Sequence, residues 1–196
     1  MDAHAWDQKY AAADPLRSAE PNQFVAAELA GLPPGRALDL AAGEGRNAFW
    51  LAARGWTVTA VDFSPVAVSR GQRLAAERGG ANVEWVVADL LFYRPDELFD
   101  LVLISYLHLP PAQMTQVLRQ AAAAVRDGGT FFLIGHDLRN LTDGVGGPRE
   151  PEILHTPETV RAALDDLRIS RAERVHRRVG DRTAIDTLVI AHRGSG

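Results

Sequence analysis

The run Ala37-Leu-Asp-Leu-Ala-Ala-Gly-Glu-Gly-Arg-Asn-Ala48 decides how this chain folds. Ala37 to Ala41 reads as a short buried strand, and Gly43 and Gly45 form a tight turn. Arg46 to Arg54 reads as a helix with Ala48, Leu51 and Ala52 on one face and Gly55 as its C-cap. Strand, glycine turn and helix in that order open a βαβ unit. Glycines here let the backbone approach a ligand, and the helix N-terminus behind them offers unpaired N–H groups.

The same alternation continues on both sides. Upstream, Pro21 opens a helix carrying Phe24, Val25 and Leu29, which Gly31, Pro33 and Pro34 end. Downstream, Thr57 to Asp62 is a second strand, and Ser64-Pro65 caps a helix running to Gly79-Gly80. Val83 to Ala88 and Phe99 to Ser105 are strands three and four. Met114, Val117, Leu118, Ala121 and Val125 mark a helix, and Asp127-Gly128-Gly129 turns into strand five, Thr130 to Gly135. A Gly- and Pro-rich loop from Asp137 to His155, of a length typical of substrate lids, leads to a helix begun by Thr156-Pro157. Arg168 to Val179 and Thr183 to His192 pair as a hairpin around Gly180-Asp181. The pattern predicts one α/β domain over residues 1–196, a doubly wound, mostly parallel sheet with an antiparallel hairpin at its far edge.

Composition narrows the chemistry. Among 196 residues there is no cysteine, and Lys9 is the single lysine among 21 basic residues. Thiolate nucleophiles, disulfides and Cys-ligated metals are excluded, no metal is expected, and a Schiff-base or phosphate-binding lysine would have to be Lys9. A net charge of −4 argues against a nucleic-acid partner. The first ten residues, MDAHAWDQKY, lack the apolar core of a signal peptide, and the longest apolar runs are strand length. A cytoplasmic protein with no membrane partner is expected.

In a doubly wound sheet, ligands bind outside the carboxyl ends of the strands. Those ends carry Gly43 to Arg46, Asp62-Phe63, Asp89-Leu90, Ser105 to His108 and Gly135 to Asp137. Gly43, Gly45 and Ala48 also fit a dinucleotide fingerprint, with Asp62 lying 19 residues after Gly43 as its ribose acid. A nicotinamide-dependent reductase is therefore one reading. Asp39 and Asp89 favour another: a carboxylate inside a strand end is costly unless a cation or donor meets it. A ligand with an ammonium group, a ribose diol and an adenine suits all three acids, which points to S-adenosylmethionine.

These runs, together with VTAVDFSP (Val58 to Pro65), VVADL (Val86 to Leu90), FDLVLISYLHLP (Phe99 to Pro110) and VRDGGTFFLIGHD (Val125 to Asp137), resemble the class I S-adenosylmethionine-dependent methyltransferases. The likeness is strongest to the small, single-domain tellurite-resistance type. Ala41 departs from it, standing where the family usually has the first glycine of Gly-x-Gly-x-Gly, and only a slight adjustment is expected there. The resemblance implies a seven-stranded sheet and transfer of a methyl group to a small-molecule acceptor by in-line displacement, leaving S-adenosylhomocysteine. It implies that Asp39, Gly43 and Gly45 contact the methionine half and that Arg46 meets its carboxylate. Asp62 would hold the ribose hydroxyls, Phe63 would lie against adenine, Asp89 and Leu90 would read the adenine edge, and the Ser105 carbonyl would meet the ammonium.

Methyl transfer needs alignment and, for a protonated acceptor, a base. His108 and His136 are the candidates, each weighed against a structural role in the loop. Tyr10 and Tyr106, with Trp6, would form an aromatic lid over the acceptor in which residues 1–20 take part, and Asp137 would bind the acceptor. His155 is expected at the surface. Besides the reductase, a non-catalytic S-adenosylmethionine-binding protein is an alternative.

Overall fold

The computed structural model describes residues 20–77 and 82–194. Trp6, Lys9 and Tyr10 lie outside them. The described residues carry a seven-stranded mixed sheet and fall into two compact units, one ending at Arg94 and the other beginning at Pro95.

The first unit holds three parallel strands in the order β3-β2-β1, with β1 at Arg36–Leu40, β2 at Thr57–Asp62 and β3 at Val83–Val87. Helix α1, Gln23–Leu29, starts at Asn22, whose side chain accepts from the N–H groups of Phe24 and Val25. The Asn22 N–H donates to Asn47 Oδ1 at 3.0 Å, tying α1 to helix α2, Arg46–Ala52. Helix α3, Pro65–Glu77, is capped as expected, with Ser64 Oγ accepting from the Ala67 N–H at 3.1 Å. Val25, Leu38, Leu51, Val58 and Val61 are buried at the core of this unit.

Strand β1 stops one residue short of the expected Ala41 because Ala41 has φ +61° and turns the chain left-handed. This is a larger departure than the slight adjustment expected. A left-handed alanine costs roughly 1–2 kcal/mol, part of which glycine would return through its looser unfolded chain. Ala41→Gly should therefore raise stability by about 0.5–1 kcal/mol, measured by chemical denaturation.

In the second unit the order is β4-β5-β7-β6, with β4 at Phe99–Ser105, β5 at Val125–His136, β6 at Arg168–Val179 and β7 at Arg182–His192. Strands β4 and β5 run parallel, while β7 is antiparallel to both β5 and β6, as the hairpin predicts. Leu101 to Ile104 and Phe131 to Ile134 are fully buried in two adjacent strands, which explains their uninterrupted apolar sequence. Helix α4, Pro111–Ala123, ends earlier than expected, since Val125 already pairs with Phe99. The Asp127-Gly128-Gly129 turn survives as an irregularity inside β5, where the partner of Phe99 is Val125 and that of Leu101 is Thr130. A second irregularity falls in β6 between Ile169 and Arg171.

The expected loop from Asp137 to His155 is pinned at its stem. Asp137 and His155 form a parallel bridge, and the Leu138 N–H donates to the His155 carbonyl at 2.8 Å. Inside it lie α5, Asn140–Asp143, and a 3₁₀ turn, Pro151–Ile153. Asn140 spans the loop, donating to the Gly146 carbonyl at 2.8 Å and accepting from the Ile185 N–H at 2.7 Å. Helix α6, Pro157–Arg161, follows with Thr156 as its cap.

Candidate active site

The first unit gathers Asp39, the glycine turn and Asp62 at the carboxyl ends of β1 and β2. Asp62 is buried; its Oδ2 accepts from the Gly43 N–H at 2.8 Å and its Oδ1 from the Ser64 N–H at 2.9 Å. The acid thus clamps the turn to the start of α3.

Gly43 and Gly45 both have positive φ, +58° and +84°. At Gly45 a side chain is excluded twice over, because a Cβ there would lie 2.2 Å from Trp85 Cη2. Glu44 faces α3 and pairs with Arg70 at 2.9 Å. The turn is thus held by Asp62 at Gly43, by the Gly45 N–H donating to the Ala42 carbonyl at 2.9 Å, and by Arg70 at Glu44.

Asp39 is the anomaly. It is fully buried, and among the described residues neither carboxylate oxygen has a hydrogen-bond partner. Burial, reinforced by the nearby Asp62 charge, pushes its pKa up to about 7, with Arg46 and the Ala48 N–H pulling the other way. An unpaired buried acid at the end of β1, beside the N-terminus of α2, is incomplete without a cationic donor. An ammonium group fits that requirement, and a pyrophosphate does not.

The other expected cofactor residues are placed less tightly. Phe63 is half-buried after β2. Asp89 is exposed and turns the chain after β3, its Oδ1 accepting from the Leu91 N–H at 2.9 Å, while Leu90 is buried. Ser105 ends β4 in the second unit, half-buried.

The second unit assembles a cluster at the carboxyl ends of β4 and β5. His108 stacks on His136 with ring centroids 5.4 Å apart, and His155 stacks on His108 at 5.0 Å. His155 is buried, against the expectation of a surface loop residue, because the pinned stem carries it inward; a ring nitrogen, Nε2, donates to the Leu107 carbonyl at 2.8 Å. Two glycines make the room. A Cβ at Gly135 would lie 2.5 Å from the His155 ring, and one at Gly147 would lie 2.8 Å from the His136 ring.

The two candidate bases separate on geometry. His108 Nε2 accepts from the His136 backbone N–H at 3.1 Å, so its lone pair is occupied. Burial, then the neighbouring His155 and His136 rings, push its pKa down to about 3. That is the signature of the structural role weighed in the sequence, and it leaves His108 a poor proton acceptor. His136 keeps a side chain 13% exposed, with Nδ1 lying 3.1 Å from Asp186 Oδ1.

Asp186 and Arg177 are the residues that sequence reasoning missed. Asp186 faces His136 directly across the β5–β7 ladder and is fully buried. Its Oδ2 accepts from the Tyr106 hydroxyl at 2.8 Å and from Arg177 Nε at 2.9 Å. Burial works to raise its pKa, but the close His136 ring and the bonds from Arg177 and Tyr106 outweigh it and hold the acid below the usual value. A carboxylate within the buried run Ala184 to Val189 was the available signal, the same one that singled out Asp39. Tyr106 has φ +57°, an unfavourable backbone for tyrosine that aims its ring at His136, 5.0 Å away.

Asp137, expected to bind the acceptor, is fully buried and engaged within its own unit. It accepts from Thr187 Oγ1 at 2.6 Å, from Arg174 Nε at 2.9 Å and from the Arg139 N–H at 2.8 Å. Those bonds make it the latch of the loop stem, so the acceptor role does not follow from its surroundings.

Residues 37–129 match a family model described as a methyltransferase domain. A 2-heptyl-1-hydroxyquinolin-4(1H)-one methyltransferase of Mycobacteroides abscessus is 32% identical over 125 residues, 61% of this chain and 55% of that protein. The match therefore spans little more than half the length of that relative. Among solved structures, one concerned with converting a disulfide bond into a thioacetal group during echinomycin biosynthesis shares the fold with a TM-score of 0.79. It is 22% identical and covers 98% of this chain and 91% of that one. TehB from Haemophilus influenzae, at TM-score 0.75 and 16% identity, covers 88% of this chain and 62% of that one. Residues 37–129 are thus similar to a methyltransferase domain, and the chain shares its fold with these solved structures.

Proposed function

We propose that the protein transfers a methyl group from S-adenosylmethionine to a small-molecule acceptor. The observation that carries this reading is the buried Asp39 carboxylate beside the glycine turn, which has no hydrogen-bond partner among the described residues. Bound there, the donor would supply a methyl already activated on a sulfonium. Asp39, Gly43 and Gly45 would hold its methionine half, with Arg46 toward the carboxylate. Asp62 would hold the ribose, Phe63, Asp89 and Leu90 the adenine, and the Ser105 carbonyl would meet the ammonium. The remaining task is to align the acceptor and remove its proton, which needs no cysteine or lysine.

The acceptor is proposed to be a small ring-bearing hydroxy compound, a class supported by the hydroxyquinolone in the name of the 32% identical relative. Net charge −4 supports a partner other than nucleic acid. Among the described residues no helix is long and apolar enough to cross a membrane, and a cytoplasmic setting is part of the proposal.

Titration calorimetry with S-adenosylhomocysteine and with NADH tests the reading. S-adenosylhomocysteine is expected to bind and NADH to give no heat; the reverse would establish the reductase alternative. Turnover of labelled S-adenosylmethionine against a panel of small hydroxy compounds then separates an enzyme from a non-catalytic binding protein.

A further inference from the structure

We propose that His136, held by the buried Asp186, takes the proton from a neutral aromatic hydroxyl acceptor as that hydroxyl is methylated. This rests on the methyl-transfer reading and adds to it the acceptor's charge state and the base.

The argument begins at Asp186. Its Oδ2 is occupied by Tyr106 and Arg177, while Oδ1 is met among the described residues by His136 Nδ1 at 3.1 Å. That approach falls short of full hydrogen-bond geometry in the resting arrangement, yet a carboxylate oxygen can only accept. The ring is therefore best satisfied with its proton on Nδ1, which leaves Nε2 with a bare lone pair. Asp186 acts here as a positioning residue, and His136 as the group that touches the acceptor. The rival histidines are committed: His108 Nε2 accepts from the backbone of residue 136, and His155 Nε2 donates to Leu107.

The charges choose the acceptor. Among the described residues the ionisable groups facing His136 are Tyr106 and His108 beyond β4, Asp186 on β7 and His155 at the loop stem, with Arg177 on β6 behind Asp186. Arg177 is paired with Asp186 at 2.9 Å and Arg174 with Asp137 at 2.9 Å, so both guanidinium groups already neutralise buried carboxylates. Among the described residues the cluster has no surplus cation for a carboxylate or metalloid oxyanion. Its walls are rings, with Tyr106 tilted against His136 and His108 stacked beneath it. A flat, uncharged acceptor with one ionisable hydroxyl matches both features.

The step balances without a further reactant. A lone pair on the acceptor oxygen forms the new O–CH3 bond as the donor's S–CH3 bond breaks, its electron pair remaining on sulfur. The hydroxyl proton passes to His136 Nε2. The resulting imidazolium faces Asp186 through Nδ1–H, and the proton leaves to water before the next turnover.

Two measurements test this. Nitrogen-15 NMR of histidine-labelled protein without ligand reads the tautomer directly. Wild type should show His136 as the Nδ1–H form, and Asp186→Asn should shift the ring toward Nε2–H. Methyl transfer is then followed to ring-substituted 1-hydroxyquinolin-4(1H)-ones of graded acidity at one pH. His136→Gln is expected to lower kcat about 100-fold or more for acceptors protonated at that pH, and less than about tenfold for those already ionised. Asp186→Asn should lower kcat with KM for S-adenosylmethionine unchanged. An Nε2–H ring in wild type, an equal loss on ionised and protonated acceptors, or a wild type that binds S-adenosylhomocysteine but methylates only thioethers or carboxylates would each overturn the proposal. Failure of wild type to bind S-adenosylhomocysteine would instead overturn the methyl-transfer reading itself.

Discussion

Asp39→Asn is expected to weaken S-adenosylhomocysteine binding by about 100-fold or more, because removing one partner of a buried ion pair costs roughly 3–5 kcal/mol. The same substitution should stabilise the free protein. It removes a buried carboxylate that has no hydrogen-bond partner among the described residues, and a gain of about 1 kcal/mol at pH 8 corresponds to a rise of roughly 2–4 °C in melting temperature. Opposite effects on binding and on stability distinguish a ligand-binding acid from a structural one, whose loss would lower both. Calorimetry and thermal unfolding with and without ligand measure the two effects separately.

The pH dependence follows from the same group. The Asp39 pKa is raised from 3.8 to about 7, so between those values the folded protein holds a proton that the unfolded chain has released. This contribution to stability is present at low pH and is lost as pH rises through that window. Binding an ammonium requires Asp39 to ionise. Affinity for S-adenosylhomocysteine should therefore climb with pH and level off above about 7, with proton release on binding below that point. Asp39→Asn should remove both the slope and the released proton.

The second large effect is expected at Gly45. Gly45→Ala forces a side chain into a left-handed position, at roughly 1–2 kcal/mol, and drives it against the Trp85 ring, at roughly 1–3 kcal/mol more. The contact atom would be Trp85 Cη2, only 2.2 Å away, so the ring must move. A total loss of about 2–5 kcal/mol is expected in urea unfolding. Trp85→Phe removes the far end of the indole. In the double variant it should recover the steric part of the loss and leave the backbone part, giving a coupling of at least about 1 kcal/mol. Purely additive losses would mean that the Trp85 ring is not the obstacle.

The sequence made the glycine turn legible because its cues are local: glycines, a helix start and an acid in a strand end stand within ten residues of one another. The hairpin was legible for the same reason, with Gly180 marking the reversal between two β-rich runs. What stayed hidden depends on register. His136 meets Asp186 only because β5 and β7 pair antiparallel with those two residues opposite, a pairing across 50 positions that no local pattern encodes. The inward turn of His155 depends likewise on the bridge at the loop stem. Val125 was read into a helix because its spacing continues the apolar stripe of α4, and the ladder to Phe99 overrides that propensity.

Strand β6 has a consequence beyond the site. It is twelve residues long and outermost in its sheet, with one row of backbone donors and acceptors facing away from β7. Such a row is a template for recruiting foreign strands and a starting point for aggregation. Arg168, Arg171, Arg174, Arg177 and Arg178 recur along it, and the irregularity near Ser170 breaks its regular spacing. An incoming strand would have to displace guanidinium groups and follow an interrupted ladder. In a chain with almost no lysine, arginine guards the sheet margin, and two of these arginines also brace Asp137 and Asp186, so the residues that keep the protein from clumping also hold its interior acids in place.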